Sequence, residues 1–328
     1  MGNSPSNKTN RSFESYFSIA FERLAAFQSH PNPTTNCFRL FHGFDESFPP
    51  EIKGLTIDLY YPVILIQTSQ QTESNAELLS FLQNKFPINL PIILKYRFYE
   101  DGKFLNKTTV LNGSVASDPF LVKENERRFS VQLTEKLDTG LYLDTANVRE
   151  WLFKNSSQKK ILNLYSYTCS YGVAAMLGGA FDVIHVDSSR SALQTGKNNY
   201  EANSLVVNPR SFSHLLVADY LRFARKKKDS FDIIIIDPSP PPLVMRLVEE
   251  KIAYYLGPIQ KCIPCLKPNG YLLVSCHSFV DISPELFQDV IMKNCESLAT
   301  HESINFPEYF SVAHPKMFVF QIKSEFCA

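Results

Sequence analysis

Two short apolar runs, separated by enough residues to form one helix, constrain the fold of this chain more than any other feature. The first covers residues 161–164 and leads into the turn 165–168; the second covers residues 182–187 and ends on Asp187. Apolar runs of this length, bounded by turns, are typical of strands buried on both faces of a parallel sheet. The pattern predicts a strand–turn–helix–strand unit with a carboxylate at the end of its second strand.

The residues at these two strand ends predict a nucleoside-containing cofactor. In a βαβ unit, an acid at the second strand end can accept both ribose hydroxyls, and the helix after the first strand offers free N–H groups. A pyrophosphate requires a Gly-x-Gly-x-x-Gly turn, but this turn has one glycine, Gly172, at its far end. S-adenosylmethionine has a ribose and no phosphate, so it fits better than a dinucleotide. The alternative is an ordinary α/β domain with solvated aspartates.

Three further strand ends carry candidate site residues. Asp219 follows the apolar run 215–218, where a third strand is predicted, and could accept from the adenine amino group. Asp237 ends the run 231–237 and is followed by Pro-Ser-Pro-Pro-Pro, so it could hold a planar base through its exocyclic amino group; the alternative is a turn stiffened by proline. Cys276 ends the run 271–276. Its thiolate could add to C6 of a pyrimidine and activate C5 for methylation, or it is a small buried residue.

Composition limits the class of protein. Lys and Arg together number 33 and so do Asp and Glu, so no global charge draws the chain to nucleic acid. The one dense basic run, residues 222–228, is either a solvated helix face or a phosphate contact. Seven cysteines without disulfide-framework spacing suit a reducing compartment, and a cytoplasmic location is expected. Cys262 and Cys265 are expected to pack in a helix end rather than to bind zinc, and no apolar run is long enough for a membrane span.

The chain divides into three predicted parts. Residues 1–35 form a tail, disordered over 1–11, with a short helix over 13–28; residues 36–144 form a small α+β domain; residues 145–328 alternate strands and helices, with a hinge at 144–149. In the middle part a helix is predicted over 75–85 and a loop or hairpin region over 106–117. Strands are predicted there at residues 38–41, 55–58, 63–67, 92–96 and 129–133. Further on, a helix is predicted over 244–266, stopped by 267–270.

Four elements together resemble one family. They are residues 54–60 (Gly-Leu-Thr-Ile-Asp-Leu-Tyr), residues 139–144 with Arg149, residues 163–168 with 178–180 and 186–189, and the two pairs Asp237-Pro238 and Ser275-Cys276. Over residues 37–325 the chain resembles the bacterial large-subunit methyltransferases that act on 23S rRNA, a class I S-adenosylmethionine-dependent family. The resemblance implies a Rossmann-like α/β fold with a seven-stranded, mostly parallel sheet, preceded by a small α+β substrate or RNA-recognition domain. An amino-terminal PUA domain is not expected.

The resemblance also implies an activity and a site. The expected reaction is methylation of RNA at C5 of a 23S rRNA cytosine, with S-adenosylmethionine as cofactor, RNA as partner and neither metal nor membrane involved. Cys276 would be the nucleophile and Asp237 the orienting acceptor. The expected cofactor contacts are Tyr142, Arg149, Tyr165, Ser166, Tyr167, Thr168, Asp187, Ser188, Asp219, Tyr220 and Asp237. Alternatives are guanine N7 methylation of rRNA, a non-catalytic binding protein on the same fold, and a methyltransferase for a small molecule or protein.

Three departures from the family pattern predict local differences. The chain has Lys136-Leu-Asp where the family has Gly-Gln-Lys, and Asp237-Pro-Ser-Pro where the family has Asp-Pro-Pro, with a shortened segment after it. Cys169 occupies the position of a family glycine. If that position takes a positive φ, Cys169 is strained or the turn is rebuilt.

Overall fold

The chain forms two compact units. The structure is a computed structural model that describes residues 5–44, 48–68, 76–87, 89–100, 103–115, 118–242, 244–275, 282–310 and 315–323. The first unit is Met1–Leu143 with Glu308–Ser311, and the second is Asp144–Pro307 with Val312–Ala328. Among the described helices, none combines the length and apolar character needed to cross a membrane.

The first unit is built on a five-stranded sheet whose spatial order follows the chain. Its strands are β1 (Cys37–His42), β2 (Thr56–Tyr60), β3 (Val63–Thr68), β4 (Ile92–Glu100) and β5 (Lys103–Asn112). Only β3 and β4 pair in parallel, because α2 (Ala76–Lys85) carries the chain back between them. A two-stranded hairpin, β6 (Phe120–Glu124) with β7 (Arg127–Val131), completes the unit.

The core of the first unit lies between one sheet face and two helices. Phe17 of α1 (Pro5–Ser29) and Leu82 of α2 pack in one apolar cluster with alternate strand residues such as Ile57 and Ile66. The prediction of disorder over 1–11 is wrong from residue 5 onward, because α1 begins at Pro5. Proline suits a first helical turn, since its fixed φ matches the helix and its missing N–H is not needed there.

Of the loop or hairpin predicted over 106–117, the structure shows the hairpin over residues 106–112. These residues belong to β5, which pairs with β4 in antiparallel register, for example Leu94 with Thr109 and Arg97 with Asn106. The composition is polar because β5 is an edge strand of its sheet, and edge strands tolerate polar side chains. The neighbouring strand, which a local pattern does not reveal, supplies the hydrogen bonds.

The second unit contains a seven-stranded sheet, as predicted. Its spatial order is β10-β9-β8-β11-β12-β14-β13, with β10 to β12 parallel and β14 antiparallel to both neighbours. The strands are β8 (Lys160–Leu164), β9 (Asp182–Asp187), β10 (Phe212–His214), β11 (Phe231–Ile236), β12 (Leu266–Ser275), β13 (Leu298–Asn305) and β14 (Pro315–Ile322). The helices are α3 (Ala146–Asn155), α4 (Ser170–Leu177), α5 (Arg190–Ala202), α6 (Val217–Lys227), α7 (Val248–Cys262) and α8 (Pro284–Asn294).

The central strands are buried on both faces, which explains their continuous apolar runs. On β11, Ile233 and Ile235 pack in one cluster with Ile161, while Ile234 and Ile236 pack in the opposite one. Two apolar layers of this kind need helices on both sides of the sheet. The strand order reverses between β8 and β11, and this reversal positions the candidate site.

Three local predictions for the second unit need correction. The third strand is residues 212–214, not 215–218, and α6 begins at Val217. The segment 267–270 does not stop a helix before a strand; it lies within β12 as an irregularity, with Asn269 at φ 59°. The helix predicted over 244–266 is shorter, because α7 covers Val248–Cys262. Residues 144–149, predicted as a hinge, complete a 3₁₀ turn and begin α3, and their role as a hinge stays a prediction.

Candidate cofactor and substrate site

Four adjacent parallel strands end at the same level and place four candidate residues side by side. Leu164 is in register with Val186 and with Ile236, and Ile236 is in register with Val274. The next residue on each strand is therefore Tyr165, Asp187, Asp237 or Ser275. This edge is the carboxyl end of the strands, and the order reverses between β8 and β11. Open α/β sheets bind ligands in the crevice at such a reversal.

Asp187 is held in a fixed orientation by backbone donors. Its Oδ2 accepts the Tyr167 N–H at 2.8 Å and its Oδ1 accepts the Ser189 N–H at 2.7 Å. Ser189 also caps α5, since its hydroxyl accepts the Ala192 N–H at 3.2 Å. A carboxylate oxygen has two lone pairs, so each oxygen can still accept a hydroxyl. A half-buried acid fixed in this way suits a ribose diol.

The turn between β8 and α4 takes an unusual backbone path. Tyr165, Tyr167 and Cys169 have φ values of 54°, 46° and 60°, a region that favours glycine. The Ser166 N–H donates to the Val186 carbonyl at 3.1 Å, and the Cys169 N–H donates to the Ser166 carbonyl at 2.7 Å. Strained backbone persists where surrounding contacts impose it, and it is concentrated at ligand sites.

The sequence leaves open whether Cys169, at the position of a family glycine, has a positive φ. It does, and α5 accommodates its side chain. Cys169 is fully buried, and a methyl group at Gly196 of α5 would collide with its sulfur. Asn199, also on α5, donates from Nδ2 to the Thr168 carbonyl at 2.9 Å. Burial raises the pKa of the Cys169 thiol, so it remains protonated. The residue is therefore a packing group between the turn and α5.

A buried polar chain beneath the turn was not predicted from the sequence. Asn163 Nδ2 donates to His185 Nδ1 at 3.2 Å, so the His185 Nε2–H donates to the Tyr200 hydroxyl at 2.7 Å. Burial lowers the pKa of His185 to about 3 and keeps the ring neutral. Gly172 lets α4 approach, since a Cβ there would overlap the His185 ring. The available signal was two polar residues, Asn163 and His185, inside apolar strands.

At the end of β11, Asp237 forms a hydrogen bond with a tyrosine of α4. The Tyr171 hydroxyl donates to Asp237 Oδ2 at 2.7 Å. Burial, and then the nearby Asp237 carboxylate, raise the pKa of Tyr171 well above its usual 10, so the phenol remains a donor. Arg149 lies fully buried on α3 and donates to the Thr145 hydroxyl at 2.5 Å. The Tyr171–Asp237 hydrogen bond connects α4, which follows the turn 165–169, to the end of β11.

The structure places the remaining predicted cofactor residues in different surroundings. Asp219 lies in the first turn of α6, not at a strand end, and pairs with Arg222 at 3.1 Å. The Tyr220 ring is buried in the hydrophobic core, and Ser188 is exposed beside β10. Tyr142 belongs to the first unit and its residue surface is 46% exposed.

The turn residues themselves differ in exposure. Ser166 and Thr168 are buried, while Tyr165 and Tyr167 are half-buried. Burial raises the pKa of Tyr165 to about 12. Cys276, the predicted nucleophile, lies outside the described residues, directly after Ser275 at the end of β12.

Two other predicted features are located by the structure. The basic run 222–228 forms the exposed side and carboxyl end of α6, apart from Ala224, which is buried in the core. Cys262 and Cys265 are both buried, and no group of three or more metal-ligating side chains occurs in the described part of the chain.

Comparisons with known proteins agree with this geometry. A family described as S-adenosylmethionine-dependent methyltransferase matches residues 38–320. The "Ribosomal RNA large subunit methyltransferase I" of Aeromonas salmonicida is 32% identical over 253 residues, which are 73% of this chain and 61% of that protein. This chain therefore spans less than two thirds of the length of that relative.

Two solved structures match nearly the whole chain. One is a candidate SAM-dependent methyltransferase from Streptococcus mutans, with a TM-score of 0.81 and 25% identity over 95% of this chain and 81% of that chain. The other is a candidate methyltransferase complexed with SAH, with the same TM-score and identity over 95% of this chain and 82% of that chain. These matches and the parallel sheet support a Rossmann-like fold.

Proposed function

Because this chain belongs to the S-adenosylmethionine-dependent methyltransferase family, we propose that it methylates a base of large-subunit ribosomal RNA. Its cofactor is S-adenosylmethionine. The observation that carries the proposal is the level arrangement of Asp187 and Asp237 on the two strands that flank β8. In this proposal Asp187 binds the nucleoside cofactor and Asp237 binds the substrate, with the strained turn 165–169 between them.

Each part of the cofactor has a proposed partner. S-adenosylmethionine supplies a methyl group on a positively charged sulfur. Asp187 accepts the ribose hydroxyls, since its two oxygens are already aimed by the Tyr167 and Ser189 N–H groups. The backbone of the turn 165–168 faces the methionine part, with Arg149 bordering it, and Asp219 accepts the adenine amino group.

The description of the family names the cofactor but no substrate, so the proposed RNA substrate needs an argument of its own. RNA is favoured because the Aeromonas relative is named for ribosomal RNA. A base that undergoes chemistry must leave its stack and enter the site. Asp237 then accepts from the exocyclic amino group of a cytosine. The Cys276 thiolate adds to C6, C5 attacks the methyl group, and loss of the C5 proton releases the thiol. Ser275, which precedes Cys276 in sequence, is level with Asp237.

The cofactor part of the proposal is tested by titration calorimetry with S-adenosylmethionine and S-adenosylhomocysteine. The wild-type chain should bind both with micromolar Kd, and Asp187→Asn should weaken binding by about tenfold, the loss of one hydrogen-bonded charged acceptor. Asp182→Asn, at the opposite end of the same strand, is the matched control and should bind like wild type. Equal binding by Asp187→Asn would contradict the ribose contact.

The substrate part is tested by labelled methyl transfer to unmodified large-subunit rRNA. Nuclease digestion and nucleoside identification should yield 5-methylcytidine, and Cys276→Ala should abolish it. A 7-methylguanosine product would instead support the N7 alternative, in which the nitrogen attacks the methyl group directly and no nucleophile is needed. Cofactor binding without any labelled RNA product would support a non-catalytic protein or a different substrate class.

A further inference from the structure

We propose that the Tyr171 hydroxyl positions Asp237 for the target base. This inference rests on the proposed function, because it takes Asp237 as the acceptor of the exocyclic amino group. Tyr171 lies in the first turn of α4, directly after the cofactor turn. It is a positioning residue, since it acts through Asp237.

The geometry fixes one of the two carboxylate oxygens. Tyr171 is only 6% exposed, and its hydroxyl lies 2.7 Å from Asp237 Oδ2. A buried phenol keeps its proton and so can only donate to a carboxylate. The backbone at Asp237 is also restrained, because the next residue, Pro238, is buried and has a fixed φ. The hydrogen bond to Oδ2 therefore restricts the orientation of the Asp237 side chain.

The orientation of the Asp237 carboxylate matters because this residue is half-buried at the end of a central strand. A carboxylate that can rotate presents its acceptor to the base only part of the time, and misplacement of a substrate lowers the rate of the chemical step. α4 begins at the carboxyl end of the turn 165–169, so the helix that carries this donor also follows the cofactor loop. Tyr171 thus connects the element that holds the methyl donor to the residue that holds its acceptor.

The test is Tyr171→Phe in the full chain, which keeps the ring and removes only the hydroxyl. Single-turnover methyl transfer to rRNA, with enzyme in excess, should fall by about tenfold, the effect of one hydrogen bond to a charged group. The Kd for S-adenosylmethionine and the thermal midpoint should stay close to wild type. Tyr271→Phe is the matched control, because Tyr271 is a half-buried tyrosine on β12 outside the site, and its activity should not change.

A double-mutant cycle with Asp237→Ala separates positioning from a structural effect. If Tyr171 acts through Asp237, Tyr171→Phe should cause no further loss in the Asp237→Ala background. A tenfold loss in both backgrounds, or a matching loss of cofactor affinity, would overturn the inference. If Asp237→Ala lowers the rate and Tyr171→Phe does not, the inference is wrong and the proposed function stands. If the wild-type chain transfers no methyl group to RNA, both are wrong.

Discussion

At the scale of single residues, the candidate site depends on close packing between the turn that precedes α4 and the neighbouring helix α5. Cys169 occupies a positive-φ position and its buried sulfur fills the space beside Gly196. A non-glycine residue in this conformation costs about 1 kcal/mol or more, and buried packing around the side chain offsets that cost. The two positions should therefore be coupled in stability.

We expect the double variant Cys169→Gly/Gly196→Ala to be more stable than the single variant Gly196→Ala. Gly196→Ala alone should lower the free energy of unfolding by about 1–3 kcal/mol, because the new methyl group meets the Cys169 sulfur. In Cys169→Gly/Gly196→Ala the methyl group takes the vacated space and the strain is relieved, so most of that loss should be recovered. Urea unfolding of the four proteins measures both terms. Additive losses would show that the two side chains are independent.

His185 predicts a pH dependence of stability. Its pKa is lowered to about 3 in the folded chain, against an ordinary value of 6.5. Below pH 6.5 the unfolded chain therefore binds a proton that the folded chain does not. The free energy of unfolding should fall as pH drops from about 6 towards 3, by about 1.4 kcal/mol per unit, and should gain nothing from this group above pH 7.

The measurement is urea unfolding at pH 7, 6 and 5 for the wild-type chain and for His185→Gln. The variant is expected to be less stable at every pH, because it disturbs the bonds to Asn163 and Tyr200. Its dependence on pH, however, should be shallower than that of the wild type. Parallel curves would mean that His185 does not carry the dependence.

At the scale of elements, the sequence predicts best where burial alone decides the structure. Strands β8, β9 and β11 could be read from apolar runs, because strands buried on both faces need no information from a partner. The acids at their ends followed from the same pattern. The prediction of a strand over 215–218 failed because this run is apolar yet Leu215 and Leu216 are exposed, so apolar character did not indicate burial there.

Contacts between elements that are distant in sequence account for the features that could not be predicted from local patterns. The Tyr171–Asp237 bond and the Asn163–His185–Tyr200 chain join residues that are 15 to 66 positions apart. No local spacing encodes such pairs. The choice between a loop and a hairpin at residues 106–117 stayed open for the same reason, since the stability of β5 comes from pairing with β4 rather than from its own composition.

The basic end of α6 supports a prediction about RNA affinity. Because α6 follows a parallel strand, it starts at the site edge with Asp219 and runs for about 12 Å before Lys227. A phosphate contact at its carboxyl end would thus lie away from the target base. Lys226→Gln/Lys227→Gln/Lys228→Asn should weaken binding of long structured rRNA and reduce its salt slope by about 2. Asn is chosen at position 228 because Lys228 has φ 56° and Asn tolerates that conformation.

Filter binding at several salt concentrations measures this effect. A hairpin of a few base pairs should bind equally well to the variant and to the wild type, because it is too short to reach the basic end. Changing the dispersed exposed lysines Lys154, Lys261 and Lys293 to Gln provides a control of equal charge. If the two triple variants behave alike on long RNA, the basic run is a solvated helix face.

At the scale of the whole molecule, the chain does not divide at a single point. Glu308–Ser311, which lies between β13 and β14 in sequence, belongs to the first unit. The Arg39 guanidinium lies 4.4 Å from the centre of the Phe310 ring, and Phe38 stacks with Tyr309 at 5.6 Å. A short segment from late in the chain thus completes the surface of β1.

This arrangement predicts that Phe310 stabilises the first unit, although the segment 308–311 lies between two stretches of the second unit in sequence. Phe310 is buried, so Phe310→Ala should cost about 3–5 kcal/mol in that unit. The chain has one tryptophan, Trp151 on α3, so tryptophan fluorescence reports the second unit whereas circular dichroism reports both. In urea, the variant should show an earlier circular dichroism transition and an unchanged fluorescence transition.

Phe306→Ala provides the contrast, because Phe306 lies four residues earlier and its ring is 5.4 Å from the Lys316 ammonium of the second unit. That variant should shift the fluorescence transition instead. If Phe310→Ala moves both transitions together, the two units unfold as one cooperative system, and loss of a first-unit contact lowers the stability of the second unit as well. Separate transitions would show that the segment 308–311 stabilises the first unit alone.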